Sequence, residues 1–326
     1  MAGLGTRLRP QTFSKPKQLV SVAGKAVLDH VLDTFRTLPD PESIELVNIV
    51  GYLADQTEDH LNKYYPNIKS HFVLQENPCG QSHAIYLARE YLSGPMLVVF
   101  VDTLLETDLS FLANETAEAV VWVKPVPDPR RFGVAMLGEN GWVTRLIEKP
   151  QSFENNLAVV GFYYFQDAGS LLSAIEEQMR RDIQLKGEYF LVDAVNIMLE
   201  RGLKMRIQKV DTWLDMGTPE TLLETNRYLL SNGRSNNSEA VKRVDIVVVP
   251  PVFIHPSAEV THSVIGPYVS LGAGCQVQNS VIRDSILEDE AQVSDVILEG
   301  SLIGRQAQIQ RRAGRINAGD RTVVVL

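Results

Sequence analysis

From Ile254 to Ile309 an aliphatic residue returns every five or six positions: Ile254, Val260, Ile265, Leu271, Val277, Ile282, Leu287, Val293, Leu298, Ile303 and Ile309. Neither an α-helix, with its 3.6-residue period, nor a flat strand, with its period of two, puts such a set on one face. A period near six is the mark of a hexapeptide β-helix, in which each step is a short strand with one inward aliphatic, then a corner. Three of the aliphatics precede a glycine, in Ile265-Gly266, Leu271-Gly272 and Ile303-Gly304, which suits a corner. One such strand cannot bury its own face, so the core forms only when coils stack. The expectation is a β-helix over residues 246–326, reached through a linker at 231–245 whose heart is the polar, small stretch Ser231–Ser238. A set of short antiparallel strands is the alternative.

Residues 1–230 have another texture. Val27 to Arg36 carries a helical stripe of Val27, Leu28, Val31, Leu32 and Phe35. Strand-like segments at Ile44–Tyr52, His71–Leu74, Ala119–Val126, Gly133–Leu137, Val143–Ile147 and Leu157–Phe165 surround it, with an amphipathic helix at Gln81–Leu92. Met96–Val101 is a continuous apolar run fit for a strand buried on both faces. This alternation predicts an α/β domain, a Rossmann-like, mostly parallel sheet with helices on both faces.

The amino end reads Gly3-Leu4-Gly5-Thr6-Arg7-Leu8-Arg9-Pro10, then Ser14-Lys15-Pro16-Lys17. Glycines let a backbone approach a ligand closely, and successive free N–H groups form a nest for anionic oxygens. Arg7 and Lys17 add positive charge, and the planar arginine fork suits phosphate. The segment reads as a polyphosphate cradle. It is neither a dinucleotide fingerprint, since Leu8 stands where the third glycine belongs, nor a P-loop, since Gly24-Lys25 is followed by Ala26. A mobile glycine-containing end is the plain alternative.

Composition narrows the partners. The 326 residues carry a net charge of −9, which argues against nucleic acid. The two cysteines, Cys79 and Cys275, make no disulfide framework or metal spacing, so a reducing cytoplasm is the expected location. No apolar run is long enough for a membrane span, and no signal peptide is recognised. The six histidines show no paired metal spacing.

Several strand tips carry candidate chemistry. Asp102 ends the apolar run, where α/β sheets collect ligands, and a carboxylate there suits Mg²⁺. Asp215 sits in Thr212-Trp213-Leu214-Asp215-Met216-Gly217-Thr218-Pro219, ahead of a helix start with Pro219 at its first turn. Two carboxylates from separate strands can share one cation that bridges phosphates. Glu148-Lys149-Pro150 ends another strand, offering an acceptor for sugar hydroxyls and a cation for phosphate. Gln75 and Gly80 lie where an amide and a close backbone can read a base edge. Each of these is equally a charged or polar turn when taken alone.

Together these segments resemble the sugar-1-phosphate nucleotidyltransferases, or nucleotide-sugar pyrophosphorylases. The family motif Gly-Thr-Arg-Leu-x-Pro-x-Thr stands here as Gly5 to Thr12, and its Pro-Lys pair as Pro16-Lys17. The likeness continues through Gln75, Gly80, Asp102, Phe132-Gly133-Val134, Glu148-Lys149-Pro150, Gly161-Phe162-Tyr163 and Gly187-Glu188 to Trp213–Thr218. A C-terminal left-handed β-helix is common in one branch, and Lys17-Gln18-Leu19 leans toward thymidylyltransferases. Three departures stand out: Val101 in place of a glycine before Asp102, Ala26 in place of a proline, and no apolar strand ahead of the glycine loop. The last leads us to expect that the native start lies upstream of Met1.

The resemblance implies a transfer of a nucleotidyl group from a nucleoside triphosphate, dTTP or UTP, to a sugar-1-phosphate such as glucose-1-phosphate. It implies that Gly3, Leu4, Gly5 and Thr6 hold the triphosphate, with Arg7 on the departing pyrophosphate and Lys17 on phosphate near the reacting phosphorus. Gln75 and Gly80 would face the base, Gly133 and Glu148 the sugar, and Lys149 its phosphate. Asp102 and Asp215 would hold Mg²⁺. A homo-oligomer, dimer or tetramer, is the expected assembly. The competing functions are a non-catalytic ligand-sensing subunit of the same fold and a β-helix acyltransferase using His255 or His262 as base.

Overall fold

The computed structural model describes residues 3–240 and 245–310. The chain divides into two compact units, one of residues 1–20 and 25–225 and one of residues 21–24 and 226–326. Two short strands, β1 (Ser21–Val22) and β2 (Lys25–Ala26), follow the glycine loop.

In the first unit, helix α1 (Val27–Phe35) buries the predicted stripe, with Val27, Leu28, Val31 and Leu32 all at 6% exposure or less. Its first turn is closed by Asp29. One carboxylate oxygen accepts from the Ala26 N–H at 3.2 Å, and the other meets His60 Nε2 at 2.7 Å. That joins α1 to α2 (Ala54–Tyr64), which carries His60. Strands β3 (Glu45–Val50) and β4 (Lys69–Leu74) form a parallel pair of their own.

A six-stranded sheet makes the rest of this unit. It holds β5 (Met96–Val99), β7 (Ala119–Pro125), β8 (Gly133–Leu137), β9 (Val143–Glu148), β10 (Leu157–Phe165) and β11 (Met205–Lys209). Strand β6 (Thr103–Leu105) pairs apart from it with β12 (Trp213–Asp215). Pairing in the sheet is mixed. β11 runs parallel to β7, while β10 is antiparallel to β5, β7 and β8, and β8–β9 is an antiparallel hairpin. The long β10 makes the difference: it returns through the middle of the sheet instead of crossing over by a helix. Residues 119–123 are wholly buried. With both faces covered, β7 shows a continuous apolar run rather than alternation. Helices α4 (Ala168–Arg180) and α5 (Leu191–Glu200) supply one cover, through Leu171, Ile175, Leu191 and Val195. The remaining helices of this part of the chain are α3 (Gln81–Leu87) and α6 (Pro219–Ser231), the latter crossing the boundary between the units.

The second unit contains three parallel sheets of four short strands each, consistent with a left-handed β-helix. The same inward column repeats in each sheet: Val248, Ile265, Ile282 and Leu298 in one, Ile254, Leu271, Leu287 and Ile303 in the next, Val260, Val277, Val293 and Ile309 in the third. All eleven aliphatics of the sequence period lie in these columns. Eight are at most 9% exposed, and the three on the last coil are partly buried. Corners take left-handed backbone at His262, Asn279 and Asp295, at Tyr268 and Asp284, and at Glu290 and Gln306. At Gly266 the corner is tightest: φ is +108°, and a Cβ would fall 1.9 Å from the Val249 carbonyl oxygen.

Within the stretch expected as a linker, Asn236 and Asn237 hydrogen-bond the first coil. Asn236 brackets Ile254, accepting from its N–H at 2.9 Å and donating to its carbonyl at 2.7 Å, before a short α7 (Asn237–Ala240). Asn226, fully buried, accepts from the Ala23 N–H and the Ser270 hydroxyl and donates to the Tyr268 carbonyl. Residues 311–326 of the expected β-helix domain lie outside the described residues. No helix among the described residues is long and apolar enough to cross a membrane.

Candidate active site

Local backbone chemistry shapes the glycine loop. Gly5 has φ +61° and precedes one turn of 3₁₀ helix at Thr6–Leu8. Its carbonyl accepts from the Leu8 N–H at 2.9 Å and the Thr12 hydroxyl at 2.8 Å. A Cβ at Gly5 would crowd Thr12 and Lys17 at 3.1–3.3 Å, and the left-handed φ would strain a larger residue there, so the position favours glycine. Gly3 and Thr6 are exposed, and Leu4 is half exposed at 50%.

Lys17 turns back across 85 residues to Asp102, Nζ to Oδ2 at 2.7 Å. Burial by itself would raise the Asp102 carboxyl, but the Lys17 charge and hydrogen bond outweigh it, and the pKa lies below the ordinary value. Asp215 is the reverse case. Burial, then the neighbouring charge of Asp102, raises it, against Lys17, the Gly217 N–H and Arg7. The two acids are neighbours because β6 and β12 pair with Asp215 opposite Thr103, while the Met216 N–H donates to the Asp102 carbonyl at 2.9 Å. The Gly217 N–H donates to Asp215 Oδ1 at 2.8 Å. A Cβ on Gly217 would lie 2.7 Å from that oxygen and 3.2 Å from the Arg7 guanidinium, which places Arg7 beside Asp215.

Arg7, Asp102 and Asp215 line one cavity of about 230 Å³ together with Gly133 and Glu148, while Lys17 is not on its wall. Gly133 is paired with Glu148 across the β8–β9 hairpin. A Cβ there would stand 3.3 Å from the Glu148 carboxylate. Burial raises the Glu148 pKa above its ordinary value, against the opposing charge of Lys149. Lys149 itself is half exposed, with Nζ 3.5 Å from Glu148 Oε1 and its ammonium over the Phe190 ring.

Not every expected residue reaches the cavity wall. Gln75 is buried and occupied: its amide donates to the Gly80 carbonyl at 3.2 Å and meets His83 Nδ1 at 3.1 Å. Gly80 packs against Tyr189, whose backbone nitrogen and oxygen lie 2.5 Å from where a Cβ would sit. Val101, the departure noted before Asp102, borders a different, apolar cavity, so it does not narrow this one. His255 meets the Ser257 hydroxyl at 2.8 Å through Nδ1.

The cavity also has walls that residue type alone did not single out. Phe132 and Trp213 pack edge to face with centroids 4.8 Å apart, and the Trp213 indole N–H donates to the Thr103 hydroxyl. Gly161, at φ +79°, sits in a β10 register shift between Val159 and Tyr163. Its carbonyl receives the Phe100 N–H at 2.9 Å. Gln81 and Arg131 complete the rim. Phe132, Gly161 and Trp213 fell inside matched motifs, a signal that marked them as belonging to the site without giving a role. Gln81 and Arg131 had no such signal.

Among the described residues no group of three or more His, Cys, Asp or Glu is placed to hold a metal. Two acids beside each other, Asp215 raised by burial and then by the charge of Asp102, still fit an ion whose remaining ligands come from water and substrate phosphates, as is usual for Mg²⁺.

The architecture is an α/β unit with charged and glycine residues around one cavity, followed by a run of parallel strands consistent with a left-handed β-helix. The family model for nucleotidyl transferases matches residues 1–232, and that for the GMPPB C-terminal domain matches residues 248–324. Glucose-1-phosphate thymidylyltransferase of Streptomyces griseus is 31% identical over 98% of this chain and 96% of its own length. Low-salt glycan biosynthesis nucleotidyltransferase Agl11 of Haloferax volcanii is 30% identical over 99% and 96%. The crystal structure of a nucleoside-diphosphate-sugar pyrophosphorylase from Vibrio cholerae covers 70% of this chain and 98% of its own, with TM-score 0.61 at 17% identity, a likeness of fold. The chain belongs to the sugar-1-phosphate nucleotidyltransferase family, and is an enzyme that acts on a nucleoside triphosphate and a sugar-1-phosphate.

Proposed function

We propose that the enzyme joins dTTP or UTP to glucose-1-phosphate, releasing pyrophosphate. The observation that carries this reading is the convergence of Arg7, Asp102, Asp215, Gly133 and Glu148 on one cavity. The thymidylyltransferase name of the Streptomyces griseus relative supports the choice of substrates. An oxygen of the sugar-1-phosphate attacks the α-phosphorus in line. The bond from that phosphorus to the β-phosphate oxygen breaks, and pyrophosphate leaves with the electron pair. The protein makes no covalent bond, and the rate comes from position and charge.

Gly3 to Thr6 present backbone N–H groups to the triphosphate, and Arg7 neutralises the departing pyrophosphate. Lys17, held by Asp102 before substrate arrives, turns to the reacting phosphate. Glu148 accepts from sugar hydroxyls as a carboxylate, Gly133 lets the sugar approach the sheet, and Lys149 pairs with the sugar phosphate. Gln75 serves the base indirectly, by holding Gly80 and its loop in place. Family members generally use a divalent metal. Asp102 and Asp215 would hold the ion, Mg²⁺ in this reading, which would supply neutralisation of phosphate charge.

The reading includes a cytoplasmic homo-oligomer. An outward ladder of Val247, Val264, Val281 and Ile297 on one β-helix sheet supports self-association, with Ile297 78% exposed. Light scattering after gel filtration measures the assembly. Pyrophosphate release across a panel of triphosphates and sugar-1-phosphates tests the reaction. The largest kcat/KM is expected for dTTP or UTP with glucose-1-phosphate, and a clear preference for a purine triphosphate would overturn the substrate choice.

A further inference from the structure

Gln75 directly follows β4 and is buried. Among the described residues its side chain meets two groups, both through the same atom. Nε2 lies 3.2 Å from the Gly80 carbonyl oxygen and 3.1 Å from His83 Nδ1. An amide nitrogen only donates and a carbonyl oxygen only accepts, so the Gly80 contact fixes which end of the amide faces this way. The second contact then fixes the histidine. Nδ1 must be the bare acceptor, and the ring proton of the neutral imidazole sits on Nε2. Both amide hydrogens are used in this way, and Oε1 takes part in neither contact.

The lock bears on one loop. On one side the loop is laced to Tyr189, whose N–H donates to the Cys79 carbonyl at 2.9 Å and whose carbonyl accepts from the Ser82 N–H at 3.0 Å. On the other side the Gly80 carbonyl is held by Gln75 and by the Ala84 N–H at 3.1 Å. Gly80 has φ +98°, which other residues rarely adopt, and no side chain of its own to anchor its peptide. The next residue, Gln81, is on the rim of the candidate catalytic cavity, and His83 stands two residues further along α3. With no acceptor at the place of Nδ1, one buried amide N–H of Gln75 goes unpaired. With a donor there, the amide would turn its oxygen to the ring and lose the Gly80 carbonyl, because two acceptors would face each other.

We infer that His83 is a positioning residue for the nucleotide base. By accepting at Nδ1 it fixes the Gln75 amide, and through that amide the Gly80 peptide, in the orientation that receives the base. In this role His83 itself touches neither base nor phosphate. The inference rests on the placement of the base beside Gln75 and Gly80 proposed above, and adds to it a residue that works through the amide alone.

The test compares His83→Leu, His83→Asn and Gln75→Leu in steady-state kinetics, with the triphosphate and the sugar-1-phosphate varied in turn. Asn carries an acceptor oxygen on Cγ, the atom that carries Nδ1 in histidine, whereas Leu carries no acceptor. His83→Leu should raise KM for the triphosphate about 3- to 10-fold, the scale of one hydrogen bond, while kcat and KM for the sugar-1-phosphate stay unchanged. His83→Asn should restore most of the loss. In the unsubstituted enzyme, nitrogen NMR of the imidazole should find the proton on Nε2 and Nδ1 bare. A rise for Gln75→Leu but not for His83→Leu would overturn the role of His83 and leave the base placement standing. No rise for either would overturn both. A protonated Nδ1 at neutral pH would overturn the role of His83, and so would equal changes in both KM values and kcat, which mark general packing.

Discussion

The β-helix and the β3–β5 side of the catalytic unit are built from equally apolar short strands, yet one is closed and the other open. In the β-helix each aliphatic meets its counterpart 16 or 17 residues later, as Val260 meets Val277 and Val277 meets Val293. Nearest-neighbour stacking satisfies every inner position, so a local period is enough. In the catalytic unit, among the described residues, Met96–Val99 pairs only with Phe162–Phe165, more than 60 residues away, and faces a void on its other edge. Strand composition alone does not bury a strand. Neighbours do, and in an α/β sheet they come from far along the chain.

Substitutions in the two regions should separate chemistry from packing. The largest effect is expected at Asp215, where Asp215→Asn should cut kcat/KM by about 10³-fold, on the scale of removing a charged transition-state contact. It should leave Tm within a few degrees, because the raised pKa shows the charge is already disfavoured there. Steady-state kinetics alongside calorimetry would check both halves. A loss of folding in step with activity would mean that the acid is structural.

Next comes the coil core. Leu271→Ala deletes a fully buried side chain and should cost about 2–5 kcal/mol by denaturant unfolding. The same assay on Leu97→Ala, at the half-buried edge of β5, should show a markedly smaller loss. Equal losses would erase the distinction between the closed and the open region.

The third prediction concerns Asp29. Its pKa is lowered because hydrogen bonding and charge from His60, with the Tyr65 and Ala26 contacts, outweigh burial. A depressed carboxyl contributes stability that is present above its unfolded value near 3.8 and is lost as pH falls through the lower folded value. Asp29→Asn should cost about 1–3 kcal/mol at neutral pH. It should also flatten the acid end of the stability curve.

A smaller effect is expected at Glu148, whose carboxyl is raised by burial. Acidification should protonate it above the ordinary glutamate value of 4.5, so KM for the sugar-1-phosphate should rise earlier than a solvent-exposed acid would allow. Glu148→Gln should raise KM and remove that pH dependence. The smallest effect on the fold belongs to the outward ladder, where Ile297→Lys should change stability by less than about 0.5 kcal/mol. It should shift the oligomer toward smaller species in light scattering.

Much of the molecule was legible in sequence for a definite physical reason. All eleven residues of the six-fold period occupy inward columns because stacking order follows chain order. Arg7, Asp102, Gly133, Glu148 and Asp215 meet in one cavity, and their motifs marked them because glycine and charge at strand tips are costly elsewhere. Gln75 was legible as a residue of interest, but the contacts of its amide nitrogen with Gly80 and His83 were not, since an amide's partners depend on loop packing. That Asn236, within the stretch read as a linker, hydrogen-bonds a strand was not legible for the same reason, since the bond exists only once the first coil has formed.

By itself, then, the sequence determined the β-helix, the α/β class of the first unit and the charged and glycine residues that were candidates for the site. These follow from periods and residue types, which act over one or two elements. The tertiary structure alone decided which groups are neighbours: Lys17 on Asp102, Asp215 beside Thr103 through β6–β12 pairing, and β10 rather than β3 beside β5. Those depend on contacts across tens to hundreds of residues, where charge, burial and strand pairing are settled by the folded chain as a whole.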